Sequence, residues 1–124
     1  MAASNERIRQ VIEAYVDRVA NGTTDEVLAL YAADATVEDP VGTEVRSTPE
    51  SIREFYAPLE GMDQEGRLVA ARIAGGQAAF QFELATKAGD QTFTLSPIDV
   101  MTFDDEGRIT SMKAYWSDAD LVVS

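Results

Sequence analysis

The sequence predicts an α+β domain in which a curved antiparallel sheet wraps around three N-terminal helices. Two observations support this prediction. Apolar residues repeat with the period of helices before residue 57, and runs typical of β-strands replace them after residue 66. The chain has 124 residues, the length of one domain. We therefore expect a single domain over residues 1–124, with a cavity between sheet and helices that suits an apolar ligand.

The first predicted helix covers residues 5–20, and Gly22 supplies its C-terminal cap. Its apolar residues recur at helical spacing and form one stripe, which consists of Ile8, Val11, Ile12, Tyr15 and Val19. One face of this helix should therefore pack against the rest of the domain.

Two shorter helices follow. Thr23 and Glu26 have the spacing of a capping box, which predicts a second helix that runs through Tyr31. Thr48 followed by Pro49 is a typical helix start, with an N-cap residue before proline. The apolar residues of this third helix are Ile52, Phe55 and Tyr56.

The strands are expected mainly in the second half. A short extended piece over 35–39 ends at Pro40, and residues 57–66 are expected to form a loop because they contain one proline and two glycines. The later strands are predicted at 67–73, 78–86, 91–103 and 108–116. Short links rich in glycine and aspartate separate them, which favours antiparallel neighbours.

Composition excludes several classes of function. The net charge of −12 argues against binding to nucleic acid or to an anionic membrane surface. Cysteine is absent, so disulfides and thiolate chemistry are excluded, and no signal peptide or membrane-spanning run is evident. We expect a cytoplasmic protein. Histidine is also absent, so a general base would have to be a carboxylate, a tyrosine or a lysine, and no metal site is expected.

Asp99 is the most informative single residue. In an extended strand it shares a face with Leu95, Pro97, Met101 and Phe103, all of them apolar. Burial on such a face would raise the pKa of the carboxyl and keep it protonated, so that it could donate a hydrogen bond. A local bulge that turns Asp99 to solvent, or an ordinary buried polar group, is the structural alternative.

Other candidate residues have ordinary interpretations as well. Asp39 precedes a proline and could simply open a turn. Tyr15, Tyr31 and Tyr56 fall on apolar helix faces, where they could be core anchors or could share a network of hydroxyl groups. Trp116 ends the last strand and could be core, although its indole N–H can donate to a carboxylate.

Several segments resemble the bacterial ketosteroid isomerases. They are YAADATVEDP at 31–40 followed by VG, REFY at 53–56, PIDVMTF at 97–103 and GRITSMKAYWSDADL at 107–121. The most specific pieces are ATVEDPVG and PIDVM, and the likeness extends from about residue 8 to residue 121. The resemblance implies the conical NTF2-like α+β fold, a homodimer, a steroid substrate and no cofactor.

The same resemblance implies roles for individual residues. Asp39 matches the general base of the family, Tyr15 its main oxyanion donor, and Asp99 the protonated acid beside that donor. The supporting positions, which match hydrogen-bonding tyrosines, a tryptophan that supports the base and residues that line the pocket, are Tyr31, Tyr56, Trp116, Phe82, Met101 and Met112. The segment 57–66 matches the family least well.

Two other functions remain open at this point. An epoxide hydrolase on the same fold would require an aspartate–arginine–aspartate cluster, but the arginines are scattered and look like solvated surface residues. A non-catalytic protein that binds steroids or other apolar ligands would have no need of a base that faces an oxyanion site.

Overall fold

Three helices open the chain in the structure, a computed structural model that describes residues 2–124. Helix α1 (Asn5–Asn21) begins at the N-cap Ser4 and ends at Gly22. Helix α2 (Thr24–Leu28) begins with the expected capping box, and α3 (Pro49–Tyr56) begins at Thr48. The three predicted helices are thus present, and α1 directs its buried stripe at the sheet.

Helix α2 is shorter than predicted, and the placement of Tyr31 in it was wrong. Tyr31 is instead the first residue of a strand, opposite Ile109. The backbone N–H of Ile109 donates to the carbonyl of Leu30 at 2.9 Å. Pairing with a strand that is distant in sequence therefore keeps Tyr31 extended, although the local pattern favours a helix.

Seven strands form one sheet, and their bounds are β1 (Tyr31–Glu38), β2 (Asp63–Ala74), β3 (Gln77–Ala88), β4 (Gln91–Leu95), β5 (Ile98–Phe103), β6 (Ile109–Tyr115) and β7 (Leu121–Val123). Their order is β1-β6-β5-β3-β4-β7, and β2 lies along β3. Every pair is antiparallel except β1 with β6, which is parallel. The sheet is therefore mixed rather than wholly antiparallel.

The predicted single strand over 91–103 is in fact two strands. Ser96 and Pro97 separate β4 from β5, and β3 pairs with β5 through its first half and with β4 through its second. Proline has no N–H to donate to a strand ladder, which explains a break at this position. The break lies on the wall of the cavity described below.

Strand β2 begins at Asp63, so part of the loop expected over 57–66 is strand, and a 3₁₀ turn occupies Ala57–Leu59. Gly66 lies inside β2 because the strand passes very close to α1. A Cβ atom at this position would lie 3.0 Å from the carbonyl oxygen of Val16. The glycine that suggested a loop is thus required by packing between helix and strand.

The core lies between α1 and the concave face of the sheet, and its least exposed apolar side chains are Ile8, Ile12, Tyr15, Val37, Phe80, Met101, Ile109 and Met112. This layered α+β arrangement confirms the predicted fold class. Over residues 2–124, no helix has both the length and the apolar character needed to cross a bilayer.

Candidate active site

An apolar cavity of about 230 Å³ lies between α1, α3 and the sheet. Five of the residues singled out in the sequence contribute to its wall: Tyr15, Asp39, Tyr56, Phe82 and Trp116. Among the described residues, Asp39 provides the one carboxylate in this wall. The other side chains of the wall are uncharged, so no cation in the wall offsets the cost of burying this carboxylate.

Asp39 directly follows β1, and its carboxylate oxygen Oδ1 accepts a hydrogen bond of 2.7 Å from Nε1 of Trp116. Burial raises the pKa of Asp39, and the bond from Trp116 partly opposes that rise. The neighbouring Glu38 points elsewhere, where its carboxylate accepts from the backbone N–H of Gly42. Of the two adjacent acids, only Asp39 therefore faces the cavity.

Three tyrosine hydroxyls form a connected chain beside the cavity. The hydroxyl of Tyr56 lies 2.8 Å from that of Tyr15 and 2.5 Å from that of Tyr31. The ring of Tyr15 also packs edge-on against the rings of Phe80 and Phe82, each at a centroid distance of 6.1 Å. Burial raises the pKa of all three phenols, so they remain neutral and can donate hydrogen bonds.

Asp99 lies on β5, opposite Phe80 on one side and Ala114 on the other. It is only 1% exposed, and its oxygen Oδ1 has no hydrogen-bond partner. Burial, and secondarily the charge of Asp39, raises the pKa of Asp99 well above its usual range. Burial thus favours the protonated form of this carboxyl, and its Oδ1 has hydrogen-bonding capacity to spare.

The wall of the cavity does not include Asp99, but this carboxyl is close to the groups that do line it. The charge of Asp99 contributes to the raised pKa of Tyr15, and that of Asp39 to the raised pKa of Asp99. Asp99 is the register partner of Phe80, whose ring packs against that of Tyr15, so Asp99 and Tyr15 lie in neighbouring parts of the core. Tyr15 and Asp99 are buried, and Asp39 is partly buried.

A second, more polar cleft of about 700 Å³ adjoins the first cavity and shares Asp39 and Phe55 with it. Arg46, interpreted above as a surface residue, is partly buried in this cleft. The residues described include no arginine that forms an ion pair with Asp39 or Asp99. Arg46 thus lines the same cleft as Asp39 without forming an ion pair with it.

Known proteins resemble this chain in sequence and in fold. Residues 12–112 match a family model described as the SnoaL-like domain. The chain belongs to the SnoaL-like family. A steroid Delta-isomerase of Nocardioides simplex is 46% identical to this SnoaL-like chain over 117 residues, which are 94% of the chain and 95% of that protein. The resemblance to steroid isomerases noted in the sequence is thus confirmed.

A solved structure shares the SnoaL-like fold. It belongs to SalBIII, an epoxide hydrolase/cyclase-like enzyme of pyran ring formation in the polyether salinomycin. It superposes with a TM-score of 0.88 over 98% of each chain, at 22% sequence identity. Such a distant likeness supports the fold and leaves the chemistry to the side chains in the cavity.

The remaining expected site residues of the SnoaL-like chain are in the core. Met101 and Met112 are 0% and 1% exposed and are not part of the cavity wall, so a contact with ligand stays a prediction. Six further wall residues were not among the expected site residues, namely Val19, Phe55, Leu59, Leu84, Leu95 and Pro97. Strand alternation indicated two of these, Leu95 and Pro97, because they share the face of Asp99, whereas nothing local indicated Leu59.

Proposed function

We propose that this chain is a steroid Δ-isomerase that converts 3-oxo-Δ5-steroids into 3-oxo-Δ4-steroids through a dienolate. The observation that best supports the proposal is the placement of Tyr15 and Asp39 in the wall of one apolar cavity, next to the buried and unpartnered carboxyl of Asp99. The identity of 46% to a protein named steroid Delta-isomerase supports the same reaction.

In the proposed reaction Asp39 is the base. It removes a proton from the carbon between the ketone and the alkene, and later returns that proton two carbons further along the conjugated system. A raised pKa suits this role, because a carboxylate that binds protons more strongly is a better base while it remains ionised. The indole N–H of Trp116 orients the carboxylate that performs both transfers.

In the proposed reaction Tyr15 and Asp99 donate hydrogen bonds to the ketone oxygen, where negative charge develops. Both groups have raised pKa values and therefore retain their protons. When Tyr15 donates to the substrate, its own oxygen accepts from Tyr56, which in turn accepts from Tyr31. The chain of hydroxyls thus stabilises charge on Tyr15 as the dienolate forms.

The apolar wall has two roles in the proposed reaction. It contacts the hydrocarbon rings of the substrate, and it limits access of water that would compete for the ketone oxygen and for Asp39. Proton transfer between two carbons needs no electron carrier, so the proposed reaction requires no cofactor.

We also propose that the enzyme works as a homodimer, as the family resemblance implies. Ile98 and Tyr115 are register partners on β5 and β6, and each is 48% exposed. We propose these two side chains as part of the surface that the second copy covers, since contiguous exposed apolar area marks protein interfaces. Light scattering of the purified protein measures the oligomeric state.

The test of function is direct. Purified protein is mixed with 5-androstene-3,17-dione, and the ultraviolet absorbance of the conjugated enone is followed. Asp39→Asn should lower kcat by about 10²–10⁴, and Tyr15→Phe by about 10²–10³. Asp90→Asn, in the exposed turn before β4, is the matched control and should leave the rate unchanged.

Each alternative function has its own outcome in this experiment. Steroid binding without any absorbance change would indicate a non-catalytic binding protein. Hydrolysis of an epoxide, with no action on the steroid, would indicate an epoxide hydrolase. Full isomerase activity in Asp39→Asn would show that another group is the base.

A further inference from the structure

The loop between β1 and α3 holds Asp39, and a short backbone ladder closes it. The N–H of Val37 donates to the carbonyl of Arg46 at 2.9 Å, and the N–H of Arg46 donates to the carbonyl of Val37 at 2.8 Å. Val41, nearer the middle of the loop, donates to the carbonyl of Ala114 in β6 at 2.8 Å. Arg46 is therefore fixed opposite a residue only two positions before Asp39.

The side chain of Arg46 extends from this loop to α3 and contacts the helix at two points. Its Nη1 donates to the carbonyl oxygen of Ser51 at 2.7 Å. Its guanidinium carbon also lies 5.5 Å from the ring centroid of Phe55, a distance typical of a cation–π contact. In the part of the chain that the structure describes, no carboxylate forms an ion pair with this guanidinium.

These contacts lead onward to the oxyanion donor. Phe55 lines the apolar cavity, and its ring lies edge-on to that of Tyr56 at a centroid distance of 4.8 Å. The hydroxyl of Tyr56 is in turn 2.8 Å from that of Tyr15. A continuous series of contacts thus joins the loop of Asp39 to the phenol of Tyr15 through Arg46.

The carboxylate of Asp39 depends on this backbone for its position. Trp116 is the one side chain among the described residues that forms a hydrogen bond with it. Burial raises the pKa of Asp39, the bond from Trp116 opposes that rise, and Arg46 is not among the causes. The contacts of Arg46 are with the backbone of Val37 and with α3, so they connect it to the base through the position of the loop.

We infer that Arg46 is a positioning residue, which sets the distance between Asp39 and Tyr15 by holding the loop of the base against α3. The inference rests on the proposed isomerase function. Reaction rates are very sensitive to such placement, because a distant mutation that displaces a reacting group by about 1 Å can lower the rate by about 10²-fold. A guanidinium suits the task because it is planar, and it can donate to a carbonyl while it stacks on a ring.

The test compares Arg46→Met with Arg46→Lys in the steroid assay. Methionine keeps the apolar stem and loses both contacts with α3, whereas lysine keeps a donor and a charge but loses the planar group. We expect kcat to fall about 10–10²-fold in Arg46→Met and less in Arg46→Lys, with KM changed by less than about threefold. Arg53→Met is the control, since Arg53 lies on α3, the helix that Arg46 contacts, and forms an exposed ion pair with Asp25.

A second measurement separates positioning of the base from loss of structure. Estradiol carries a phenol that can occupy the site of the ketone oxygen, so its affinity measures the donors Tyr15 and Asp99 without using the base. We expect Arg46→Met to bind estradiol as the unmodified protein does, within about threefold. Should Arg46→Met fail to fold, Arg46→Lys alone decides, by the same split between kcat and estradiol affinity.

Two results would overturn the inference while leaving the isomerase function in place. One is an unchanged kcat in both Arg46 variants. The other is a parallel loss of kcat, estradiol affinity and melting temperature, which would make Arg46 an ordinary stabilising residue. An unmodified protein that does not isomerise the steroid at all would refute the proposed function, and this inference with it.

Discussion

Replacement of Trp116 by phenylalanine should move the acid limb of the pH–rate profile to higher pH. Nε1 of Trp116 donates to Oδ1 of Asp39 at 2.7 Å, and this bond stabilises the ionised carboxylate in preference to the protonated one. Phenylalanine keeps an apolar ring in the cavity wall and removes the donor. Burial, which raises the pKa of Asp39, would then act unopposed by this bond.

The size of the shift follows from the bond itself. A hydrogen bond to a charged group contributes about 1.5–3 kcal/mol, and one pKa unit corresponds to about 1.36 kcal/mol. The pKa of Asp39 should therefore rise by about 1–2 units, or by less where water replaces the lost donor. Because only the ionised form is a base, the rate at acidic pH should fall more than the rate at alkaline pH.

The assay is kcat/KM for 5-androstene-3,17-dione measured across the pH range in which the protein is folded. Asp90→Asn, in the exposed turn before β4, serves as the control and should leave the profile in place. An unshifted acid limb in Trp116→Phe would refute the reasoning, because the bond would then not distinguish the two forms of Asp39.

Three further outcomes follow from buried groups. Because the pKa of Asp99 is raised, the folded state keeps a proton that the unfolded state releases above about pH 4. The free energy of unfolding should therefore fall by about 1.4 kcal/mol for each pH unit between about pH 4 and the pKa of Asp99 in the folded state. Urea unfolding should show that Asp99→Asn abolishes this decline; equal slopes for the two proteins would contradict the assignment. Tyr56→Phe removes the middle hydroxyl of the chain, and each partner left unpaired should cost about 1–3 kcal/mol in urea unfolding, so an unchanged midpoint would argue against the chain. Gly66→Ala should lower the melting temperature, since overpacking costs about 1–3 kcal/mol and the new Cβ would lie 3.0 Å from a carbonyl oxygen of α1; a melting temperature equal to that of the unmodified protein would show that the strand can move away.

Much of the site could be anticipated because its signals are local. Strand alternation alone places Asp99 on an apolar face, and the structure buries it to 1% exposure. The helical stripe of α1 likewise places Tyr15 inward, and the residue is 2% exposed. Alternation along an extended segment also turns adjacent side chains to opposite sides, and Glu38 accepts from Gly42 whereas Asp39 lines the cavity.

Other features could not be anticipated, because they depend on parts of the chain far apart in sequence. Tyr31 was placed on a helix, and its hydroxyl reaches Tyr56 from the start of β1 instead. Arg46 looked like a surface cation, and only the packing of the loop on α3 shows its contacts with Ser51 and Phe55. Hydrophobic periodicity shows which face of an element is buried and does not show what that face meets.

By itself, the sequence determined the presence of three helices, the apolar face that carries Asp99, the likeness to steroid isomerases and the lack of histidine and cysteine. Short-range spacing encodes the helices and the face of Asp99, whereas the likeness and the missing residue types depend on the whole sequence. Only the tertiary structure decided that β1 pairs in parallel with β6, and that Asp39 and Trp116 meet across 77 residues of chain. Such contacts form when the curved sheet closes over the helices, because the free energy that selects them comes from burial shared by the whole core.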